Sequence, residues 1–349
     1  MDLGAAGYAA AFTVALLLSG LLTPLVLRVA VRRDALDRPD EAHKSHDSPV
    51  PYLGGLAIAA GFTISIGAAT LLAPPANVAE VLVLLGLALG LAVVGLIDDL
   101  RGLSAGVRFA AQIAAGFGVW AVGAGTTLMG SEAANLAVTV VWVVGITNAF
   151  NLLDNMDGLS AGVAMIAALA FLGIAAANGQ FLVAALSAAL AGVAAGFLWH
   201  NAHPAKIYMG DAGSLFLGFL LAVIGVRLRL VDTPQLLSAF VPILVLGVAI
   251  FDTTLVTVDR LRRGVSPLKG GQDHTSHRLV ALGLPVPAAI AVIYGVAVAL
   301  GWAGAAIAAV RVVLAYGLLA SSALLLAFAF VALLALPGLS APQQSEKIE

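Results

Sequence analysis

Long apolar stretches separated by short polar connectors run along the whole chain. Each is close to the ~20 residues that an α-helix needs to cross the hydrocarbon core of a bilayer. Eleven such stretches are present, at roughly residues 5–27, 53–73, 78–97, 107–123, 134–150, 159–177, 181–199, 214–228, 236–258, 286–309 and 312–336. The pattern predicts an all-α polytopic membrane protein of about eleven transmembrane helices, with residues 1–349 as one domain and a short polar tail at 337–349.

Composition supports this prediction and excludes several other classes. Hydrophobic residues make up 61% of the 349 positions and charged residues 10%, against about 25% charged in a typical soluble domain. The absence of cysteine excludes disulfides, zinc–thiolate sites and thiol catalysis. A net charge of −2 gives no indication of nucleic-acid binding. The first apolar stretch lacks a basic leader and a clear cleavage site, so we expect a retained helix rather than a signal peptide.

The connectors fall into two alternating sets that differ in charge. One set, taken with its helix ends, holds thirteen lysines and arginines, whereas the other holds only Arg227, Arg229 and Arg311. Because cytoplasmic connectors carry the excess of basic residues, the first set is predicted to be cytoplasmic. An odd number of spans then places the N-terminus outside and the C-terminus in the cytoplasm.

Residues that bind metals or phosphates follow the same division. All six histidines fall on the predicted cytoplasmic side, together with the aspartates of four separate motifs. General polarity of loops does not account for such an imbalance between the two faces. We therefore expect an active site at the cytoplasmic ends of the helices. The histidines on that side are His43, His46, His200, His203, His274 and His277, and the aspartates include Asp98, Asp99, Asp154, Asp157, Asp211 and Asp273.

The most polar of these motifs is Asn148-Ala-Phe-Asn-Leu-Leu-Asp-Asn-Met-Asp-Gly158, between two apolar stretches. Asp154 and Asp157 are three residues apart, so both carboxylates share one face if the segment is helical, with Asn151 one turn earlier. Carboxylates beside a membrane are costly unless they have a function, and Mg²⁺ prefers oxygen ligands of this kind. The alternative is a polar helix end whose Asn and Asp residues act only as caps.

An adjacent pair of aspartates, Asp98 and Asp99, follows directly after the third apolar stretch. Carboxylates at a helix C-terminus oppose the helix dipole, which favours cations there. This unfavourable placement predicts a compensating cation. The alternative is a pair of solvated loop acids that face Arg101 and Arg108.

The connector 200–213 leads into the motif Gly210-Asp-Ala-Gly-Ser214 at the start of an apolar stretch. Backbone N–H groups at a helix start bind anions, and Asp211 beside them could hold the cation that accompanies a diphosphate. An Asp or Ser cap is the alternative. Tyr208 could stack on a base.

Two basic connectors carry the histidine motifs. The first contains His43-Lys44 followed by Pro49-x-Pro51-x-x-Gly-Gly55, in which Lys44 could bind phosphate. The second contains Asp273-His-Thr-Ser-His-Arg278, where two histidines three apart and Arg278 suit phosphate binding or proton handling. Ordinary basic loops on an anionic membrane surface are the alternative in both cases. Asp252, near the end of the ninth stretch, is interpreted as a structural counter-ion.

Taken together and in this order, the motifs resemble those of the polyprenyl-phosphate N-acetylhexosamine-1-phosphate transferase family. The resemblance runs from about residue 28 to residue 283. Eleven spans and the form of the cytoplasmic loops look more like the GlcNAc-1-phosphate branch than the branch of phospho-N-acetylmuramoyl-pentapeptide transferase.

The resemblance implies transfer of sugar-1-phosphate from a UDP-N-acetylhexosamine to undecaprenyl or another polyprenyl phosphate, with UMP as the second product. It implies that the reaction needs Mg²⁺, with Mn²⁺ as a substitute. It also implies that the protein lies in a bacterial cytoplasmic membrane. By position, Asp211 and Asp154 would be metal ligands. Catalytic roles would fall to Asp98, Asp99, Asp154, Asp157, His274 and His277, and substrate contacts to Lys44, Asn151, Asn201, Tyr208 and Arg278.

One departure from the family pattern concerns sugar specificity. Ser276 stands where the family commonly has a further histidine, which leaves the role of this loop open.

The alternatives to the GlcNAc-1-phosphate transferase function are the pentapeptide transferase reaction and, from a different class, an ion-coupled secondary transporter. A transporter would place polar residues near the bilayer midplane, whereas here they lie at helix ends. Small-residue stretches such as 181–196 and 286–309 could pack within or between subunits, so a homodimer is also compatible with the sequence.

Overall fold

The computed structural model describes residues 4–37, 49–230, 233–268 and 270–336. Over these ranges the chain forms thirteen helices and one antiparallel pair of two-residue strands, β1 (Leu36–Asp37) and β2 (Val50–Pro51). The helices α1 to α13, in chain order, are Gly4–Arg32, Gly55–Leu72, Val78–Arg101, Ala105–Ala121, Glu132–Leu153, Leu159–Ala177, Phe181–Asn201, Gly210–Arg227, Gln235–Val245, Gly247–Arg262, Thr275–Ala281, Val286–Ala309 and Val312–Ala335.

The predicted all-α multi-pass architecture is confirmed, with a helix at each predicted span. By length and composition, nine of the described helices could cross a membrane, namely α1, α2, α3, α5, α6, α7, α8, α12 and α13. The helix α4, with 17 residues, is shorter than these.

The ninth predicted span, 236–258, is not one straight helix. It consists of α9 and α10, which meet at Leu246 with a bend of 74°. Pro242 lies inside α9 one turn before the break, and Gly247 begins α10. Proline removes a helical hydrogen-bond donor and glycine weakens a helix interior, and both favour a break at this point. The length of the apolar stretch does not register these two residues, so it could not predict the bend. If α9 and α10 are counted together as one span, the described residues contain ten candidate membrane spans.

The core lies around α7 and α8, which are buried along most of their length. Gly192 and Gly196 of α7, spaced as in a small-xxx-small motif, lie directly against the backbone of α1. A Cβ atom at Gly192 would lie 2.3 Å from the carbonyl oxygen of Phe12, and one at Gly196 would lie 2.2 Å from that of Leu16. By contrast, α13 lies at the edge of the bundle, with Ala315 its only buried residue.

The beginning of α8 is surrounded by α2, α3 and α5. Glycines of α2 and α3 allow this close approach. A Cβ atom at Gly55 would lie 2.2 Å from the amide nitrogen of Gly213, and one at Gly95 would lie 2.4 Å from the carbonyl oxygen of Asp211. The chemistry-bearing residues at the start of α8 are therefore held against the ends of three other helices.

Candidate active site

Four helices bring carboxylates and one arginine together. The C-terminal end of α3 supplies Asp98 and Asp99, α4 supplies Arg108, and α8 supplies Asp211 in its first turn. The fourth helix, α5, ends at Leu153 with Asp154 as its C-cap. The sequence prediction that these motifs form one site is consistent with this arrangement.

Arg108 bridges two of the carboxylates. Its Nη1 atom lies 2.6 Å from Oδ2 of Asp98 and 2.9 Å from Oδ2 of Asp211. The side chain of Asp98 is only 9% exposed, whereas that of Arg108 is 32% exposed. This guanidinium is the compensating cation that the placement of Asp98 at a helix C-terminus requires.

Asp99 has a different partner from its neighbour. Its carboxylate accepts hydrogen bonds from the backbone N–H groups of Asp211 (2.8 Å) and Ala212 (3.1 Å). Asp99 therefore caps the N-terminus of α8 from another helix. The anion site predicted at the start of α8 is thus filled, at these two N–H groups, by a carboxylate of the chain itself.

Asn151 links α5 to the same cluster. Its Nδ2 atom donates to Oδ1 of Asp211 at 2.8 Å and to the hydroxyl oxygen of Ser214 at 3.0 Å. Both carboxylate oxygens of Asp211 thus accept a hydrogen bond, one from Asn151 and one from Arg108. The orientation of this carboxylate is fixed from two sides.

Asp154 lies at the edge of the cluster. Burial, together with the nearby carboxylates of Asp211, Asp99 and Asp157, raises the pKa of Asp154 to about 8. Among the residues that the structure describes, four carboxylates and one guanidinium leave this region short of positive charge.

Asp154 and Asp157 do not share a helical face, in contrast to the prediction for a helical segment. The helix α5 stops at Leu153, and Gly158, with φ of +75°, turns the chain into α6. The carboxylate of Asp157 points to the connector after α7, where it accepts a hydrogen bond from the amide of Ala205 (3.0 Å) and lies 2.9 Å from Nδ1 of His203. A left-handed glycine allows this reversal.

Asn201 joins the same two connectors through backbone groups. Its side-chain oxygen accepts from the N–H of Gly158 at 3.1 Å, and its Nδ2 atom donates to the carbonyl of Ile207 at 2.9 Å. The side chain is 2% exposed. The structure therefore gives Asn201 a positioning role, and its predicted contact with a substrate stays a prediction.

The Pro-x-Pro-x-x-Gly-Gly motif positions the start of α8 through its backbone. The amide of Tyr208 donates to the carbonyl of Pro51 (2.7 Å), and the amides of Gly54 and Gly55 donate to the carbonyls of Tyr208 and Met209 (both 2.9 Å). The phosphate contacts predicted for Lys44 lie outside the described residues, as do His43 and His46. The base stacking predicted for Tyr208 stays a prediction.

The second histidine motif forms the N-terminal part of the short helix α11. The hydroxyl of Ser276 donates to Oδ1 of Asn155 at 2.6 Å, which holds α11 against the connector that carries Asp154 and Asp157. Ser276, in the position of the usual histidine, thus acts here as a link between two connectors.

Arg278, predicted to bind substrate, is 2% exposed and paired within the protein. It donates to Oδ2 of Asp259 at 2.6 Å and to the carbonyl of Leu333, near the end of α13, at 2.8 Å. These contacts give Arg278 a structural role, and a contact with substrate stays a prediction.

Mg²⁺ fits the donor types of this region. Within the described residues, no three carboxylate or imidazole groups form a ready-made metal site. However, Asp98 and Asp211 present hard oxygen ligands to one shared cation, the guanidinium of Arg108. Burial, together with the negative charge of the neighbouring carboxylates, raises the pKa of Asp154. Oxygen donors with unbalanced negative charge are the chemistry that Mg²⁺ requires, so the residues present fit the ion.

Several residues of the site were not among the sequence-predicted site residues. Arg108 and Asp252 were assigned only structural alternatives, and His203 and Asn155 were given no role. The unfavourable position of Asp98 was the one local signal that required a nearby cation. For the others, the partners are far away in sequence, so no local pattern identified them.

The close approach of α3 to α8 gives a test by substitution. Gly95→Ala would place a methyl group 2.4 Å from the backbone of Asp211, whereas Gly90→Ala on the same helix meets no atom within 4 Å. Overpacking costs about 1–3 kcal/mol, so we expect Gly95→Ala to lower the thermal unfolding midpoint in detergent by about 5 °C or more. Gly90→Ala should leave it unchanged or slightly higher. Equal midpoints for the two variants would contradict this packing.

Comparison with known proteins adds independent information. The model of the family described as glycosyl transferase family 4 matches residues 81–229. The chain is similar to a probable undecaprenyl-phosphate N-acetylglucosaminyl 1-phosphate transferase of Bacillus subtilis, 36% identical over 81% of this chain and 80% of the relative. It is also similar to a decaprenyl-phosphate N-acetylglucosaminephosphotransferase of Mycolicibacterium smegmatis, 35% identical over 76% of this chain and 73% of the relative. A phospho-N-acetylmuramoyl-pentapeptide-transferase of Geobacillus kaustophilus is 31% identical over 74% of this chain and 86% of its own length.

Proposed function

We propose that this chain, which belongs to glycosyl transferase family 4, transfers sugar-1-phosphate from UDP-N-acetylglucosamine to a polyprenyl phosphate. The observation that carries the proposal is the cluster of carboxylates around Arg108 at the meeting point of α3, α4, α5 and α8. The names of the similar proteins support the same reaction class. They favour the GlcNAc donor because the Bacillus subtilis relative is 36% identical over 81% of this chain, against 31% over 74% for the pentapeptide transferase of Geobacillus kaustophilus and 34% over 63% for that of Heliobacterium modesticaldum.

In this reaction, an oxygen of the lipid phosphate attacks the phosphorus that bears the sugar. A new P–O bond forms, the bond from that phosphorus to the bridging oxygen breaks, and UMP leaves with the bond's electron pair. The second pKa of a phosphate monoester is ~6, so the nucleophile is already mostly anionic at pH 7. A strong general base is therefore not required, and the main difficulty is to bring two polyanions together.

The residues of the site address this difficulty by position and charge. Arg108 holds a positive charge beside Asp98 and Asp211, and its 32% exposure leaves it accessible to a phosphate. Asp99 and Asn151 fix Asp211 by holding its backbone and its side chain. When bound, Mg²⁺ would neutralise phosphate charge and align donor and acceptor for in-line displacement, with Asp211, Asp98 and Asp154 as the residues that would hold it.

We also propose that the site faces the cytoplasm of a bacterial cell, with the N-terminus outside, because the basic residues concentrate on the connectors of that side. The cysteine-free chain permits a direct test with single cysteines. Ser266→Cys lies in an exposed connector of the site face and Gly130→Cys in one of the opposite face. In intact cells, an impermeant thiol reagent should label only Gly130→Cys; labelling of Ser266→Cys alone would reverse the orientation. The homodimer stays a prediction.

Release of UMP by the purified protein tests the proposed reaction. The assay contains undecaprenyl phosphate, Mg²⁺ and one of three donors: UDP-GlcNAc, UDP-GalNAc or UDP-MurNAc-pentapeptide. We expect turnover with UDP-GlcNAc that stops in EDTA and returns with Mg²⁺ or Mn²⁺. Turnover with the pentapeptide donor alone would move the chain to the other branch. Persistence in EDTA would contradict the metal requirement, and failure with all three donors would contradict the proposed donor class.

A further inference from the structure

The two histidines of the second motif, His274 and His277, have different surroundings. His274 is buried, and its Nδ1 atom lies 2.7 Å from Oδ2 of Asp252, a residue of α10 that is 2% exposed. The other oxygen of this carboxylate accepts from the amide of Thr275 at 2.7 Å. Asp252 therefore contacts both the imidazole and the first backbone amide of α11.

His277 lies one turn further along, with the two imidazole rings 5.9 Å apart. Its Nδ1 atom is buried and has no hydrogen-bond partner within the described part of the chain. Burial lowers the pKa of His277 to about 4. At pH 7 it is neutral, and no carboxylate in the described ranges is hydrogen-bonded to it as Asp252 is to His274.

The segment that carries His274 is held tightly on both sides. Before it, Asp273 accepts two hydrogen bonds from Arg260 of α10, at 2.8 and 2.6 Å. After it, Arg278 pairs with Asp259, also on α10. The hydroxyl of Ser276 adds the bond to Asn155 beside the carboxylate cluster. Because these contacts fix the segment relative to α10, the distance from Asp252 to His274 is set by the fold.

We propose that Asp252 is a positioning residue for the transfer reaction, which acts by holding His274 in the tautomer with its proton on Nδ1. An ionised carboxylate can only accept hydrogen bonds, so it orients the ring with Nδ1–H towards Asp252 and leaves Nε2 as the nitrogen with the acceptor lone pair. The role in transfer rests on the proposed function. The alternative is that Asp252 only caps α11 through Thr275.

Asp252→Asn separates these two roles. The amide of Thr275 can only donate, so the oxygen of the new side chain must face Thr275 and its NH₂ group must face Nδ1 of His274. The cap is thus retained, whereas His274 is forced into the tautomer with its proton on Nε2. A matched control on the same helix is Asp259→Asn, which weakens the ion pairs of Asp259 with Arg278 and Arg263. It loosens the segment without changing the side chain that faces Nδ1 of His274.

The tautomer is read by nitrogen NMR of protein labelled with ¹⁵N-histidine, in detergent, with the His274 signal assigned by its loss in His274→Gln. We expect Nδ1–H in the wild type and in Asp259→Asn, and Nε2–H in Asp252→Asn. In the same variant, kcat for UMP release should fall about 10- to 100-fold, while KM for the donor changes less than about threefold.

Each outcome bears on a distinct part of the proposal. A wild-type His274 with its proton on Nε2 would overturn it without any variant, so that poor folding of Asp252→Asn does not remove the test. A changed tautomer with unchanged kcat would overturn the role in transfer. If no donor is turned over by the wild type while the NMR results are as expected, the proposed function fails and the Asp252–His274 arrangement stands.

Discussion

The Asp211→Asn variant is expected to release UMP about 100- to 1,000-fold more slowly than the wild type. The substitution keeps the size of the side chain and can still accept from Asn151, but it removes the charge that faces Arg108 at 2.9 Å. A group that would hold the cation contributes several kcal/mol to stabilising charge in the transition state, and each 1.36 kcal/mol corresponds to a factor of about ten. Initial rates at saturating UDP-GlcNAc and Mg²⁺ measure the effect.

Glu132→Gln is the control for removal of one carboxylate. Glu132 is exposed in the first turn of α5, at the opposite end of that helix from Asn151. Glu132→Gln should retain full activity, and both Glu132→Gln and Asp211→Asn should unfold at temperatures close to that of the wild type. If Asp211→Asn kept more than a tenth of the wild-type rate, Asp211 would not be central to the reaction.

Arg108→Gln is expected to have two opposite effects. Transfer should slow by about 100-fold, because the guanidinium that offsets the charge of the donor and acceptor phosphates is lost. Binding of Mn²⁺ without substrate should become about five- to tenfold tighter, since the guanidinium no longer competes for the oxygens of Asp98 and Asp211. Rates of UMP release and titration of Mn²⁺ by electron paramagnetic resonance measure the two effects separately.

Two further variants show whether the charge or the shape of the Arg108 side chain is responsible for its effects on transfer and Mn²⁺ binding. Both contacts of Arg108 are made by one atom, Nη1, so the point charge of Arg108→Lys should restore activity to within about tenfold of the wild type. Arg101→Gln, which removes an exposed arginine nearby, should change neither measurement. Weaker Mn²⁺ binding in Arg108→Gln would show that Arg108 does not occupy the place of a cation.

The paired motifs show where sequence reasoning stopped. Asp98 and Asp99 are adjacent and were treated as one unit, yet one faces Arg108 and the other caps α8, 112 residues away from it in sequence. His274 and His277 were also treated together, yet among the described residues His274 has a carboxylate partner and His277 does not. Neighbours in sequence point in different directions on a helix or turn, so their partners depend on which other element lies on each side.

The sequence by itself determined that the chain is a helical multi-pass membrane protein and which residue types carry its chemistry. Both follow from local properties, because the length of an apolar stretch and the cost of a carboxylate beside the membrane do not depend on distant residues. Only the tertiary structure decided which partner each polar group has: Arg108 for Asp98 and Asp211, the start of α8 for Asp99, and His274 for Asp252. Those pairings arise from close helix packing, which permits contacts between residues that the sequence separates by 10 to 113 positions.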